Sequence, residues 1–235
     1  MAFGYADEAL DTLEKYISAE RLAAYYRLSR GDQWVALKLY EKNAELSGAL
    51  YVVIQGLEVT VRNSIHTLMS DRLGCEEWYD RFAFAQSERS EIDEAKNNLL
   101  EKGQSTTPGR VVSELTFGFW VKLTGRVYED ALWKPHLSRI FPIRLNRAVV
   151  HERLVLLKTL RNRIAHHERI IGRKRPLPLE HEETIEAIQW INPTMADWVA
   201  HQSNFKELYA KKFPKKRPQA VSQPISAAAS IPEGK

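Results

Sequence analysis

Apolar side chains recur along this chain at spacings of three and four residues in almost every segment, the period of a helix with one buried face. The clearest run is Val149 to Ile164, where Val150, Leu154, Leu157 and Ile164 form one stripe with Leu160 beside it, and Asn146 stands where such a helix would open. Upstream, Asp32 to about Leu73 keeps a helical pattern that would reach about 60 Å if continuous. Gly48 and Gly56 fall inside it, and a kink or break is expected near Ser47-Gly48. Asp7 to Ser18 and Glu20 to Leu28 read as two short helices, the first capped by Asp7 and the second closed by Arg30-Gly31.

Trp78-Tyr79 opens a short aromatic connector, and Ser87 to Gly103 reads as a charged helix with Ser90 to Asp93 as a variant capping box. A polar connector, 104–109, leads to one compact helix from Arg110 to Leu123, with Val112, Leu115, Phe119 and Trp120 inward and Gly118 permitting close approach. Val127 to Trp133 and Pro135 to Ile140 give two short turns. Beyond a basic, proline-punctuated loop, Glu180 to Ile191 is a helix and Pro193 begins another that runs to about Lys212. Trp190 and Trp198 read as core anchors, and Tyr5, Tyr16, Tyr25 and Tyr26 as cover over a core edge rather than a base-stacking platform. No strand alternation, internal repeat, P-loop or dinucleotide fingerprint is present. The pattern predicts an all-α, multi-helix bundle with a long central helix over residues 1–213. The segment 214–235, rich in proline and small residues, is expected to be disordered.

Composition narrows the function classes. With 44% hydrophobic and 10% aromatic residues there is ample material for a core. The single cysteine, Cys75, excludes an internal disulfide and a Cys-rich zinc site. There is no opening basic-plus-apolar leader and no apolar run near 18 residues, so a soluble cytoplasmic protein with no membrane partner is expected. The net charge of +4 mildly favours a polyanionic partner but does not by itself name RNA. The excess is local: Arg169, Arg173, Lys174 and Arg175 come after the His-His pair, and Lys211, Lys212, Lys215, Lys216 and Arg217 precede the tail.

Candidate chemistry sits at the end of the long helix, in Leu160 to Ile170. At about 100° per residue, Arg161, Asn162 and His166 share an arc of about 140° on a rigid element. A guanidinium, a neutral amide and an imidazole that titrates near neutrality suit phosphate chemistry without a metal or cofactor. Adjacent His166 and His167 do not share a face as the paired histidines of a zinc helix do. A second set, Glu58, Arg62 and His66 with Asn63 beside them, recurs at four-residue spacing on the earlier helix. It reads either as an ordinary ion pair with a solvated histidine or as groups that face the first set and orient it. The first set also suits a structural role, in which Arg161 and Asn162 cross-link helices and His166 is a surface imidazole favoured by the helix dipole.

The string Arg161-Asn162-Arg163-Ile164-Ala165-His166-His167-Glu168 resembles the Arg-x4-to-6-His signature of the HEPN superfamily. Leu50 to His66, Gly109 to Trp120, Tyr128 to Trp133 and the Phe141-Pro142 pair extend the likeness to its Abi-like (abortive infection, AbiD/AbiF-type) branch, over most of residues 32–200. That resemblance implies a metal-independent endoribonuclease of phage-defence or toxin-antitoxin type. His166 would be the proton-transfer group, Arg161 would bind phosphate and Asn162 would orient; His167 or the Glu58, Arg62, Asn63 and His66 set would contribute from a second shell or bind substrate. It also implies a homodimer, in which two copies of the motif meet across the axis, and allows an antitoxin RNA or protein. The alternative is a non-catalytic helical module that binds RNA or protein.

Overall fold

The computed structural model describes residues 6–141 and 145–214. Tyr5, Pro142 and the expected tail from Lys215 onward lie outside the described residues, so the readings made there have no structural counterpart. Among the described residues every regular element is helical.

The axis of the molecule is α3 (Gln33–Leu73), capped at its start by the Asp32 carboxylate, which accepts from Val35 N at 2.8 Å, and closed by left-handed Gly74. It runs uninterrupted through Ser47-Gly48, where a break was expected. A Cβ at Gly48 would meet nothing, so that glycine imposes nothing on the helix. Close approach is needed at Gly56 instead, since a Cβ there would lie 2.6 Å from Val199 Cγ2.

Preceding the axis, α1 (Asp7–Ile17) and α2 (Ala19–Ser29) fold back as a hairpin, with Ala6 rather than Asp7 in the first cap position and Ser18 capping the second helix. Beyond it, α4 (Trp78–Arg81) buries Trp78 and Tyr79 completely, so the aromatic connector is a core element. Next, α5 (Gln86–Glu101) begins four residues before Ser90, which moves the proposed capping box into the helix interior. The single helix expected over 110–123 is two, α6 (Pro108–Glu114) and α7 (Phe117–Lys122), because Thr116 recaps the chain by accepting from Phe119 N. Its inward residues are buried as expected, whereas Gly118 has only ordinary contacts around it. Short 3-10 and π turns over 126–140 lead to α8 (Arg147–Ala165), opened by the Asn146 side chain.

Three helices complete the bundle: α9 (Leu177–Gln189), α10 (Pro193–Gln202) and α11 (Phe205–Lys212). The helix expected to run from Pro193 to Lys212 is therefore broken, at Ser203-Asn204. Packed around α3 are α2, α7, α8, α9, α10 and α11, and their inward faces form one hydrophobic core. Trp190 belongs to it, but Trp198 is 55% exposed and Tyr16 is 82% exposed, so neither anchors nor covers it. Among the described residues α3 is the one helix long and apolar enough to cross a membrane by length and composition, and half of that window is buried inside the protein.

Candidate functional site

Packing orients α8 before any polar residue is considered. Val150, Leu154, Leu157, Leu160 and Ile164 are all buried, so the helix cannot rotate about its axis without exposing them. This places Arg161 at the edge of the core, half-buried, and leaves Asn162 and His166 exposed.

The helix ends in a complete Schellman motif. His166 is the C-cap, His167 N donates to Ile164 O at 3.0 Å, and Glu168 N donates to Arg163 O at 2.8 Å. His167 occupies the left-handed position of that motif, with φ 55°, where glycine would be least strained. An imidazole there costs about 1 kcal/mol relative to glycine. Arg163 and Glu168 close the same turn as an ion pair at 2.9 Å.

The segment after the cap is pinned from beneath. The side chain of Asn43, buried on α3, accepts from Ile170 N at 2.7 Å and Ile171 N at 3.2 Å and donates to Glu168 O at 3.2 Å. From the hairpin, Arg21 donates to His167 O at 3.0 Å. Arg169 donates to Ile171 O at 2.6 Å. Both imidazoles thus project from a backbone with its polar groups largely satisfied, which is the condition for a positioned reactive group.

Arg161 points another way. Its Nε donates to Glu58 Oε2 at 3.3 Å, with the two side chains 33% and 22% exposed, in a small depression of about 180 Å³ that Arg62 and Tyr51 also line. The second set is accordingly divided. Glu58 and Arg62 come to Arg161, with Arg62 Nε donating to Asn63 Oδ1 at 3.0 Å, while Asn63 itself is exposed toward the 430 Å³ depression beside Ile140 and Asn192. His66 lies two turns beyond Glu58 on α3, half-buried, and lines none of the depressions at the α8 motif. Its Nδ1 accepts from Trp78 Nε1 at 3.0 Å. Burial pushes its pKa down, with Arg62 acting in the same direction and Glu76 against it.

Two larger clefts flank the cap. One, of about 530 Å³, is lined by His166, His167 and Arg163 on one side and by the α2 residues Arg21 and Tyr25 on the other. The second, of about 360 Å³, runs between His167 and Ala165 of the cap and Tyr40, Ser47 and Tyr51 of α3. His167 borders both clefts, and Tyr51 borders the second cleft and the Arg161 depression. Within one chain Arg161 and His166 line separate depressions. Among the described residues no three His, Cys, Asp or Glu side chains gather as metal donors.

Sequence reasoning missed Asn43 and Arg21, and read Tyr25 as cover over a core edge without placing it beside the motif. Asn43 left a signal, since it stands one heptad before Leu50 and two before Leu57 on the buried stripe, where a polar residue needs internal partners. Arg21 and Tyr25 left none, because only the hairpin's return brings them to the motif. Residues 32–172 match the family described as Abi-like protein, a stretch that ends just past the cap and leaves α1 and α2 outside. No curated protein and no solved structure matches the chain.

Proposed function

Because the chain belongs to the Abi-like protein family, we propose that it serves abortive-infection or toxin-antitoxin phage defence as a metal-independent endoribonuclease of HEPN type, AbiD/AbiF-like in its sequence blocks. The family supports the biological setting. The chemistry rests on one observation: His166 is an exposed imidazole on a pinned helix cap, about one and a half turns from a guanidinium already oriented by Glu58.

The reaction is attack by an RNA 2′-hydroxyl on its own phosphodiester. One imidazole accepts the 2′-hydroxyl proton as the oxygen bonds to phosphorus; the bond from phosphorus to the 5′-oxygen breaks, and that oxygen takes a proton from a second imidazole. The products are a 2′,3′-cyclic phosphate and a 5′-hydroxyl. Arg161 binds the non-bridging oxygens and holds them more strongly as charge accumulates there, and Asn162 orients the phosphate or the imidazole. Since Arg161 and His166 of one chain line separate depressions, a homodimer with two-fold symmetry supplies the missing partner: His166 from each chain gives the acid and the base of a shared cleft. The same separation favours a second reading, a non-catalytic module that grips RNA or protein at these depressions. An antitoxin RNA or protein would act by covering the His166 cleft.

The test is cleavage of single-stranded RNA in EDTA by wild type and His166→Ala. Cyclic-phosphate products from wild type, their loss of at least about 100-fold in His166→Ala with RNA binding retained, and no reaction when the attacking 2′-hydroxyl is replaced by hydrogen are expected. Activity abolished by chelation and restored by Mg²⁺, or full activity in His166→Ala, would refute the mechanism. Sedimentation at micromolar protein should show a dimer, and a fully active monomer would remove the shared cleft.

A further inference from the structure

The cleft on the α2 side of His166 contains a group that RNA cleavage by the two imidazoles does not use. Tyr25 lines it and is 1% exposed, yet among the described residues its hydroxyl has no hydrogen-bond partner. A buried, unsatisfied hydroxyl destabilises the free protein unless something else brings it a partner. Arg21 and Arg169 line the same cleft and bring two guanidinium groups to it. Burial pushes its pKa up to about 12, and the hydroxyl therefore stays protonated and able to donate. The first turn of α2 borders the same cleft through Ser18, Glu20 and Arg21, with Arg21 N already taken by the Ser18 hydroxyl and other first-turn amides lacking a helical partner. Two carboxylates oppose an anion here, Glu20 and Glu168, of which Glu168 is neutralised by Arg163. At about 530 Å³ the cleft has the size of a ligand site.

We propose that the α1–α2 hairpin, which lies outside the family match, completes an RNA-backbone subsite beside His166, in which Arg21, Arg169 and the Tyr25 hydroxyl hold a phosphodiester next to the one that is cut. The subsite rests on the reading that RNA occupies this face, but not on cleavage. It adds one cation, Arg21, and one neutral donor to the Arg169 that the matched segment supplies, and among the described residues that donor has no hydrogen-bond partner.

The experiment is anisotropy of a fluorescein-labelled single-stranded RNA carrying 2′-O-methyl groups throughout, which cannot react by 2′-hydroxyl attack, with the full chain as wild type, Tyr25→Phe and Arg21→Gln. Thermal melting of each free protein is measured alongside. Tyr25→Phe should weaken binding about 3- to 10-fold while leaving the melting temperature of the free protein unchanged or raised, because the lost hydroxyl had no partner there. Arg21→Gln should weaken binding by at least as much and lower the slope of log Kd against log salt by about 0.7. The proposal is overturned if both variants bind as wild type, or if Tyr25→Phe melts lower with affinity unchanged, which would make the hydroxyl structural. It is also overturned if inorganic phosphate raises the melting temperature through Tyr25 while the RNA neither binds nor competes, which would make this a free-phosphate site. A wild type that cleaves RNA while both variants bind normally would leave the nuclease standing without the subsite. A wild type that never cleaves, but whose binding falls in Tyr25→Phe, would leave the subsite standing without the nuclease.

Discussion

Replacing Asn43 by alanine tests whether the cap of α8 is held from beneath. The substitution removes one acceptor and one donor that together make three hydrogen bonds, to Ile170 N, Ile171 N and Glu168 O. Ile170 and Ile171 are 0% and 4% exposed, so water cannot readily replace what is lost. Each bond contributes about 1 kcal/mol net, and a buried amide left without a partner adds about 1–3 kcal/mol, so with partial relaxation the total is about 3–4 kcal/mol. That is a large share of the roughly 5–15 kcal/mol that holds a typical protein folded, and it corresponds to a fall of about 6–15 °C in Tm for a chain of this size. Urea denaturation at pH 7 gives the free energy, and hydrogen exchange at Ile170 and Ile171 locates it. The two amides should lose protection more than those of the α3 core. A loss below about 1 kcal/mol, or unchanged protection at those amides, would show that the loop holds itself and that Asn43 is incidental.

Three further outcomes are expected from the packing, the strain and the titrating groups. Gly56→Ala should lower stability by about 1–2 kcal/mol despite alanine's better helix propensity, because its Cβ would press on Val199, and the loss should be smaller in the Val199→Ala background; additive losses in denaturant titrations would count against the clash. His167→Gly should raise stability by up to about 1 kcal/mol by removing left-handed strain, so a drop of similar size in the urea midpoint would mean that the imidazole contributes contacts worth more than the strain. Burial pushes the pKa of His181 down to about 4, below the ordinary 6.5, with Lys206 acting in the same direction and Glu182 opposing. The unfolded chain therefore binds the extra proton first, and stability should be intact above about pH 6.5 and fall, by up to about 3 kcal/mol, as the pH drops toward 4. His181→Gln should flatten that part of the profile, and an unchanged slope would remove His181 as its source.

The second set of polar residues shows how far periodicity carries and where it stops. Spacing correctly puts Glu58, Arg62 and His66 on neighbouring turns of one helix, but the fate of each depends on what packs opposite. Glu58 and Arg62 meet α8, whereas His66 meets Trp78, which comes back along α4. Likewise the run 110–123 has one helical phase throughout. Thr116 nonetheless interrupts it, because a side-chain cap competes with helix continuation at a site where propensity alone expresses no choice. Gly48 and Gly56 look alike as letters, and only the approach of α10 distinguishes an indifferent glycine from an obligatory one.

The sequence alone determined whatever depends on local period and residue chemistry: the helical class, the buried stripe of α8, its Asn146 opening, and the presence of an Arg-Asn-x3-His string at its end. Those properties arise from bonds and faces within about four residues of one another, so no partner is needed to read them. Tertiary structure decided which polar groups meet across the fold. It set Glu58 against Arg161, Asn43 under the cap, and Arg21 with Tyr25 beside His166, contacts made by residues more than a hundred positions apart in most cases. The reason is physical: a helix fixes the direction of its own side chains, but their partners are fixed by how helices pack, and that is settled only when the whole core closes.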